Sequence, residues 1–139
     1  MKLTNVRFLW ASLFFCSGLA ASSDDSIQVD VLAEGLDHPW GMAFISNEEI
    51  LLTELSGNLR RLSNGVLNPA PIAGVPAVMY AGQGGLSEVL LDPNFAENGL
   101  LYLSFSAADT DLPKLNRLNV NQARLDDNTL VDHKTIFQS

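Results

Sequence analysis

Cysteine is almost missing from this chain of 139 residues: Cys16 lies in an apolar run near the N-terminus, and none follows it. The body of the chain therefore has no disulfide framework and no thiol chemistry. Basic residues are also scarce. Eight Lys and Arg stand against sixteen Asp and Glu, and such a surface repels nucleic acid and anionic membranes. The acidic residues are scattered along the chain, the pattern of a soluble acidic domain and not of an acidic tail. There are two histidines, His38 and His133, and neither has a partner that suggests catalysis. No Gly-x-Ser-x-Gly elbow, Walker loop or dinucleotide fingerprint occurs, which disfavours hydrolase, nucleotide and nicotinamide chemistry.

The first twenty or so residues have the three parts of a secretory signal. Lys2 and Arg7 form a basic head, residues 8–15 are nearly all apolar, and Ser17, Gly18, Ala20 and Ala21 are small. The run is too short for a stable membrane span. Cys16 follows Phe15, not the small residue that a lipidation site requires. Residues 1–21 are thus expected to be a signal peptide cut after Ala20 or Ala21, leaving residues 22–139 in the periplasm or outside the cell. Without Lys2 and Arg7, six basic residues face sixteen acidic ones, a net charge of −10.

The rest reads as all-β. Ile27, Val29, Val31 and Ala33 alternate with polar residues, a period of two. Further strands are expected over residues 40–45, 50–55, 59–62, 86–91, 99–105, 118–125 and 130–137. Ser56-Gly57-Asn58 and Ser63-Asn64-Gly65 mark tight turns, and Asn-Gly is a strong hairpin signal. Pro69, Pro71 and Pro76 make residues 67–80 an extended connector. No convincing amphipathic helix is seen. Short strands at this spacing suggest a sandwich, barrel or propeller, and the step from Trp40 to Leu86 is about one propeller blade.

The stretch richest in chemistry is Ala81-Gly82-Gln83-Gly84-Gly85-Leu86. Glycines admit positive φ and close approach, and Gln83 offers one carbonyl acceptor and one NH₂ donor. A lone amide among glycines ahead of a strand suits the grip of a polar ligand, and equally an ordinary turn.

Four segments in order carry a resemblance: His38-Pro39-Trp40-Gly41-Met42-Ala43-Phe44, Thr53-Glu54-Leu55-Ser56-Gly57-Asn58-Leu59-Arg60, Gly82-Gln83-Gly84-Gly85-Leu86 and Leu91-Asp92-Pro93-Asn94-Phe95. Together they resemble the soluble pyrroloquinoline-quinone (PQQ)-dependent sugar dehydrogenases, the glucose/sorbosone or aldose sugar dehydrogenase family. The resemblance implies a six-bladed β-propeller, of which residues 22–139 supply the N-terminal part, about two blades. It implies oxidation of an aldose to a lactone, with PQQ at the propeller mouth and calcium as a Lewis acid. Gln83 matches the glutamine that lines the cofactor and sugar pocket. The family's catalytic histidine belongs to a His-Phe-Gly-Gly-Arg-like motif after the second blade. No catalytic residue and no calcium ligand is therefore expected among these residues, and the chain alone is expected to be inactive. Ser87-Glu88 stand where the family usually has Leu-Asp.

Other residues read more plainly. His38 is expected in a strand-entry turn and Trp40 in the core. Asp109-Thr110-Asp111 and Asp126-Asp127-Asn128 lack the spacing of a calcium loop and read as solvated turns. Glu54 and Glu88 could form a carboxylate pair, with Glu54 the structural member. A rival reading is a non-catalytic secreted propeller module that binds carbohydrate or protein. The electron acceptor and the preferred sugar are not legible.

Overall fold

The computed structural model describes residues 27–109 and 116–139. The expected leader and its cleavage region lie outside the described residues, as do Thr110 and Asp111. The fold is nearly all-β, in two four-stranded antiparallel sheets. The first sheet holds β1 (Pro39–Phe44), β2 (Glu49–Glu54), β3 (Leu59–Ser63) and β4 (Val66–Leu67). The second holds β5 (Leu86–Leu91), β6 (Leu100–Ala108), β7 (Asn116–Asp126) and β8 (Thr129–Gln138). Each is a meander whose strands pair in chain order, the form of a propeller blade. The two sheets begin 47 residues apart, at Pro39 and Leu86.

Local chemistry explains most of these elements. Asn64 and Gly65 both take positive φ, 50° and 74°, as a two-residue hairpin loop between β3 and β4 demands. β6 alternates strictly, turning Leu101, Leu103 and Phe105 inward. Asp92-Pro93-Asn94 ends β5, as expected. It then opens a single helical turn, α1 (Phe95–Asn98), which Gly99 closes in the left-handed conformation.

One face of each sheet meets the other to form the core. Ala43, Leu51 and Leu59 come from the first sheet. Leu86, Val89, Leu101, Leu103, Phe105, Ala123 and Leu130 come from the second. The connector is extended but not loose. Ile72 is buried and donates its N–H to Leu59, and Ala73 bridges to Thr129 in the far hairpin. Close approach between the sheets is set by Gly41. A Cβ there would lie 2.8 Å from the Ser87 carbonyl and 2.7 Å from Glu88 Oε2.

Two expectations about the first sheet fail. Residues 27–36 pair with no strand, despite their period-two pattern. Alternation makes a strand only where a sheet edge is offered. Here the segment lies over the outer face of the first sheet, where Leu32 and Leu36 line a hollow of about 250 Å³ with Met42, Phe44 and Leu52. The fourth strand of that sheet is instead the short β4. Trp40 is 53% exposed, not core. Gly41 and Ala43 take the inner face of β1, so Trp40, Met42 and Phe44 must point outward. Among the described residues, no helix is long and apolar enough to cross a membrane.

Candidate functional site

The end of the molecule where β1 and β5 begin and β2 and β6 finish brings the polar residues together. Gln83 sits there on a pinned excursion. Ser106 of β6 accepts a hydrogen bond from the Met79 N–H at 2.7 Å and donates its own N–H to the Gly85 carbonyl at 2.9 Å. Both ends of the loop are thereby fixed to one residue. Within it the Gly84 N–H closes a turn on the Ala81 carbonyl at 2.9 Å, with Gly82 at φ 61°. Gln83 is the exposed tip of that turn.

The glycines on either side have separate tasks. At Gly85, φ is 147° and a Cβ would fall 2.2 Å from the Leu55 carbonyl, so only glycine lets the loop seat on the end of β2. At Gly84 a Cβ would lie 2.9 Å from Ser106 Oγ and 3.0 Å from Asn116 Nδ2. Gly82 has open space around it.

Leu55 links this loop to a second corner. Its carbonyl accepts the Leu86 N–H at 3.2 Å, and its own N–H donates to the His38 carbonyl at 3.1 Å. His38 takes φ 49°, rare for a residue with a side chain. Its Nδ1 lies 2.5 Å from Asp37 Oδ1, and its ring meets Tyr80 at a centroid distance of 5.8 Å, tilted by 55°. The hydrogen bond from His38 holds the Asp37 carboxyl below its ordinary value.

Beneath the corner, Glu54 is 1% exposed. Its carboxylate accepts from Arg60 Nη1 at 3.1 Å, Asn58 Nδ2 at 2.8 Å and the Asp37 backbone N–H at 2.9 Å. The neighbouring Thr53 is fully buried and ties the sheets. Its hydroxyl accepts the Gly41 N–H at 2.8 Å and donates to the Ser87 carbonyl at 2.5 Å. The strands β1 and β5 both bulge near this end, at Pro39/Met42 and Leu86/Glu88, a device that re-aims side chains at strand ends.

The remaining candidates fall apart from it. Glu88 is exposed on β5 and shares no hydrogen bond with Glu54 among the described residues, so they form no carboxylate pair. Asp109, expected in a solvated turn, is instead buried and bonded to Arg117 at the loop end of β6 and β7. Asp126 and Asp132 flank Arg124 at the far hairpin, and the Asp127 carbonyl accepts from Arg61. His133 lies on β8 with Nε2 near the Leu130 carbonyl. Among the described residues, no three His, Cys, Asp or Glu side chains gather as a metal site. The hollows of about 450 and 250 Å³ lie along residues 30–36, away from Gln83. Asp37, Tyr80 and Ser106 were not singled out in the sequence. An aromatic three residues ahead of Gln83 was the one available signal.

An all-β blade pair with a pinned glycine loop at one end of its strands belongs to the propeller class. The family described as Glucose / Sorbosone dehydrogenase matches residues 36–139, and the chain belongs to that family. It is 33% identical to the aldose sugar dehydrogenase of Escherichia coli, over 94% of this chain and 36% of that one. A crystal structure of a glucose dehydrogenase superposes with a TM-score of 0.75 at 40% identity, covering 81% of this chain and 33% of the other. The PQQ-bound form of the Streptomyces coelicolor aldose sugar dehydrogenase shares the fold, with a TM-score of 0.67 at 24% identity over 80% and 33% of the two chains. The chain spans about a third of the length of these relatives.

Proposed function

We propose that this chain supplies one side of the mouth of a PQQ-dependent aldose dehydrogenase, a CH–OH oxidoreductase that turns sugars into lactones. The observation that supports it most is the Gln83 loop, held at both ends by Ser106 and seated on Leu55. A neutral amide held at the tip of a rigid turn can donate to a carbonyl or accept from a hydroxyl. Glycine on either side lets a flat ligand come close to the backbone. When bound, the quinone supplies the hydride acceptor. Gln83 is the one cofactor-binding residue that the proposal assigns to this chain, and it assigns no catalytic residue here. The proposal assigns no calcium ligand to this chain, and no step is routed through that ion. The basic-apolar-small pattern of residues 1–21 supports a periplasmic or secreted location.

The test is kinetic. Residues 36–139 are grafted in place of the matching third of the E. coli aldose sugar dehydrogenase, and Gln83→Ala is made in the graft. Turnover should fall by about 10–1000-fold, as for other preorganised donors, with circular dichroism unchanged. A folded variant within about twofold of the parent, the usual result for a neutral surface change, removes Gln83 from the site and favours a turn role.

A further inference from the structure

We infer that Asp37, His38 and Tyr80 form a hydroxyl-binding subsite for the sugar, with Glu54 as the positioning residue beneath it. This rests on the reading above, that the end carrying Gln83 receives an aldose.

The corner is built, not incidental. A buried carboxylate is costly unless it is paired and hydrogen-bonded. Arg60 and Asn58 supply that pairing for Glu54, yet the carboxylate also holds the Asp37 N–H outside the sheet. His38 is kept at φ 49° by the Leu55 N–H on its carbonyl. Strained residues of this kind persist only where their surroundings over-determine them, and they cluster at functional sites. A buried network that fixes an exposed, strained dipeptide has the form of a support beneath a binding group.

The exposed chemistry fits a polyol. The Asp37 carboxylate is an acceptor only, so the hydrogen between the two side chains sits on Nδ1 of His38. Nε2 is left to the ligand, and among the described residues it has no partner. The His38 side chain is 63% exposed. A neutral imidazole accepts from a hydroxyl at Nε2 and a charged one donates to it, so a hydroxyl suits either form. The Tyr80 ring, 45% exposed, offers an apolar face beside the imidazole for the C–H side of a sugar ring. Tyr80 also leads into the loop pinned on Ser106, three residues before Gln83, so the subsite is continuous with that amide.

Charge selects the sugar over the cofactor. PQQ carries three carboxylates, and the Asp37 carboxylate repels them here. Among the described residues, the cations at this end, Arg60 and Arg117, are already bonded to Glu54 and Asp109. A neutral polyhydroxy ring meets no such penalty.

Two measurements test the assignment. In the graft, His38→Ala and Tyr80→Ala should each raise KM for the aldose by about tenfold while kcat stays within about twofold, the signature of lost ground-state binding. Gln83→Ala should instead lower kcat. In the 139-residue chain, His38 and His133 are the two histidines, and imidazole ¹H–¹⁵N spectra report each. D-glucose alone should move the His38 signals and leave His133 in place. Glu54→Gln should weaken that response and alter the His38 tautomer signal with circular dichroism unchanged. An unchanged KM in both Ala variants overturns the subsite. So does a His38 signal that ignores glucose, or one that PQQ alone moves further than glucose does. If Gln83→Ala still lowers kcat in those cases, the proposed function stands and this inference alone fails. If none of the three variants changes the kinetics, both fall.

Discussion

Thr53 shows how one side chain can join two sheets. Its hydroxyl satisfies the Gly41 N–H and the Ser87 carbonyl at once, with no exposure to solvent. Thr53→Val keeps the shape and removes both bonds. The buried Gly41 N–H and the half-buried Ser87 carbonyl then lose their partner, and an unsatisfied buried group costs about 1–3 kcal/mol when nothing replaces its partner. Urea unfolding of the variant should show a loss in that range with an unchanged slope. A loss near zero would mean that water replaces the hydroxyl. The same residue marks the limit of sequence reading at this scale. Thr53-Glu54 stood out as part of a segment, but the targets of these side chains, Ser87 and Asp37, are 34 and 17 positions away. No local pattern encodes such pairings. Gln83 stands out as a candidate because its cue, the glycines around it, is local.

At the scale of an element, the turn from β5 to α1 is tied by Asp92. Hydrogen bonds from Asn98, from the Asn94 N–H and from the Tyr102 hydroxyl hold its carboxyl below the ordinary 3.8. A carboxyl depressed in the folded state adds stability above its unfolded value. That contribution is lost as the pH falls from about 3.8 downward through the folded value. Acid unfolding followed by circular dichroism should therefore show the parent losing more stability between neutral pH and pH 3 than Asp92→Asn does. The variant should be the less stable of the two at neutral pH. Parallel acid profiles would show that the turn does not depend on the charged form. Seven of the eight described strands follow from period and turn residues, while β4 does not and the expected strand at residues 27–33 does not form. α1 was missed because four residues carry no helical period.

For the whole molecule, the decisive feature is what lies on the outer faces. Trp40, Met42 and Phe44 are exposed on the first sheet, and Leu90, Leu118 and Phe137 on the second. In each case the register places them opposite the core face. Apolar faces of this kind mark interaction surfaces or aggregation hazards. Residues 22–139 should self-associate in a concentration-dependent way in sedimentation velocity. The fluorescence of Trp40 should shift to the blue as they do so, the other tryptophan, Trp10, having been removed with the leader. A monomer at all concentrations with unchanged emission would show that these faces are not sticky.

The sequence by itself determined that the chain is β-rich, where seven of its eight described strands lie to within a few residues, which turns need glycine, and to which family it belongs. These properties depend on neighbours a few residues away, or on ordered segments that can be read in line. Tertiary structure alone decided that residues 27–36 lie over a sheet without pairing, and that Trp40 faces out. It also decided that Asp37, His38, Glu54 and Tyr80 meet at one corner. A period of two assigns residues to two faces but does not say which face is covered. Only the packing of Gly41 and Ala43 against the second sheet makes that choice.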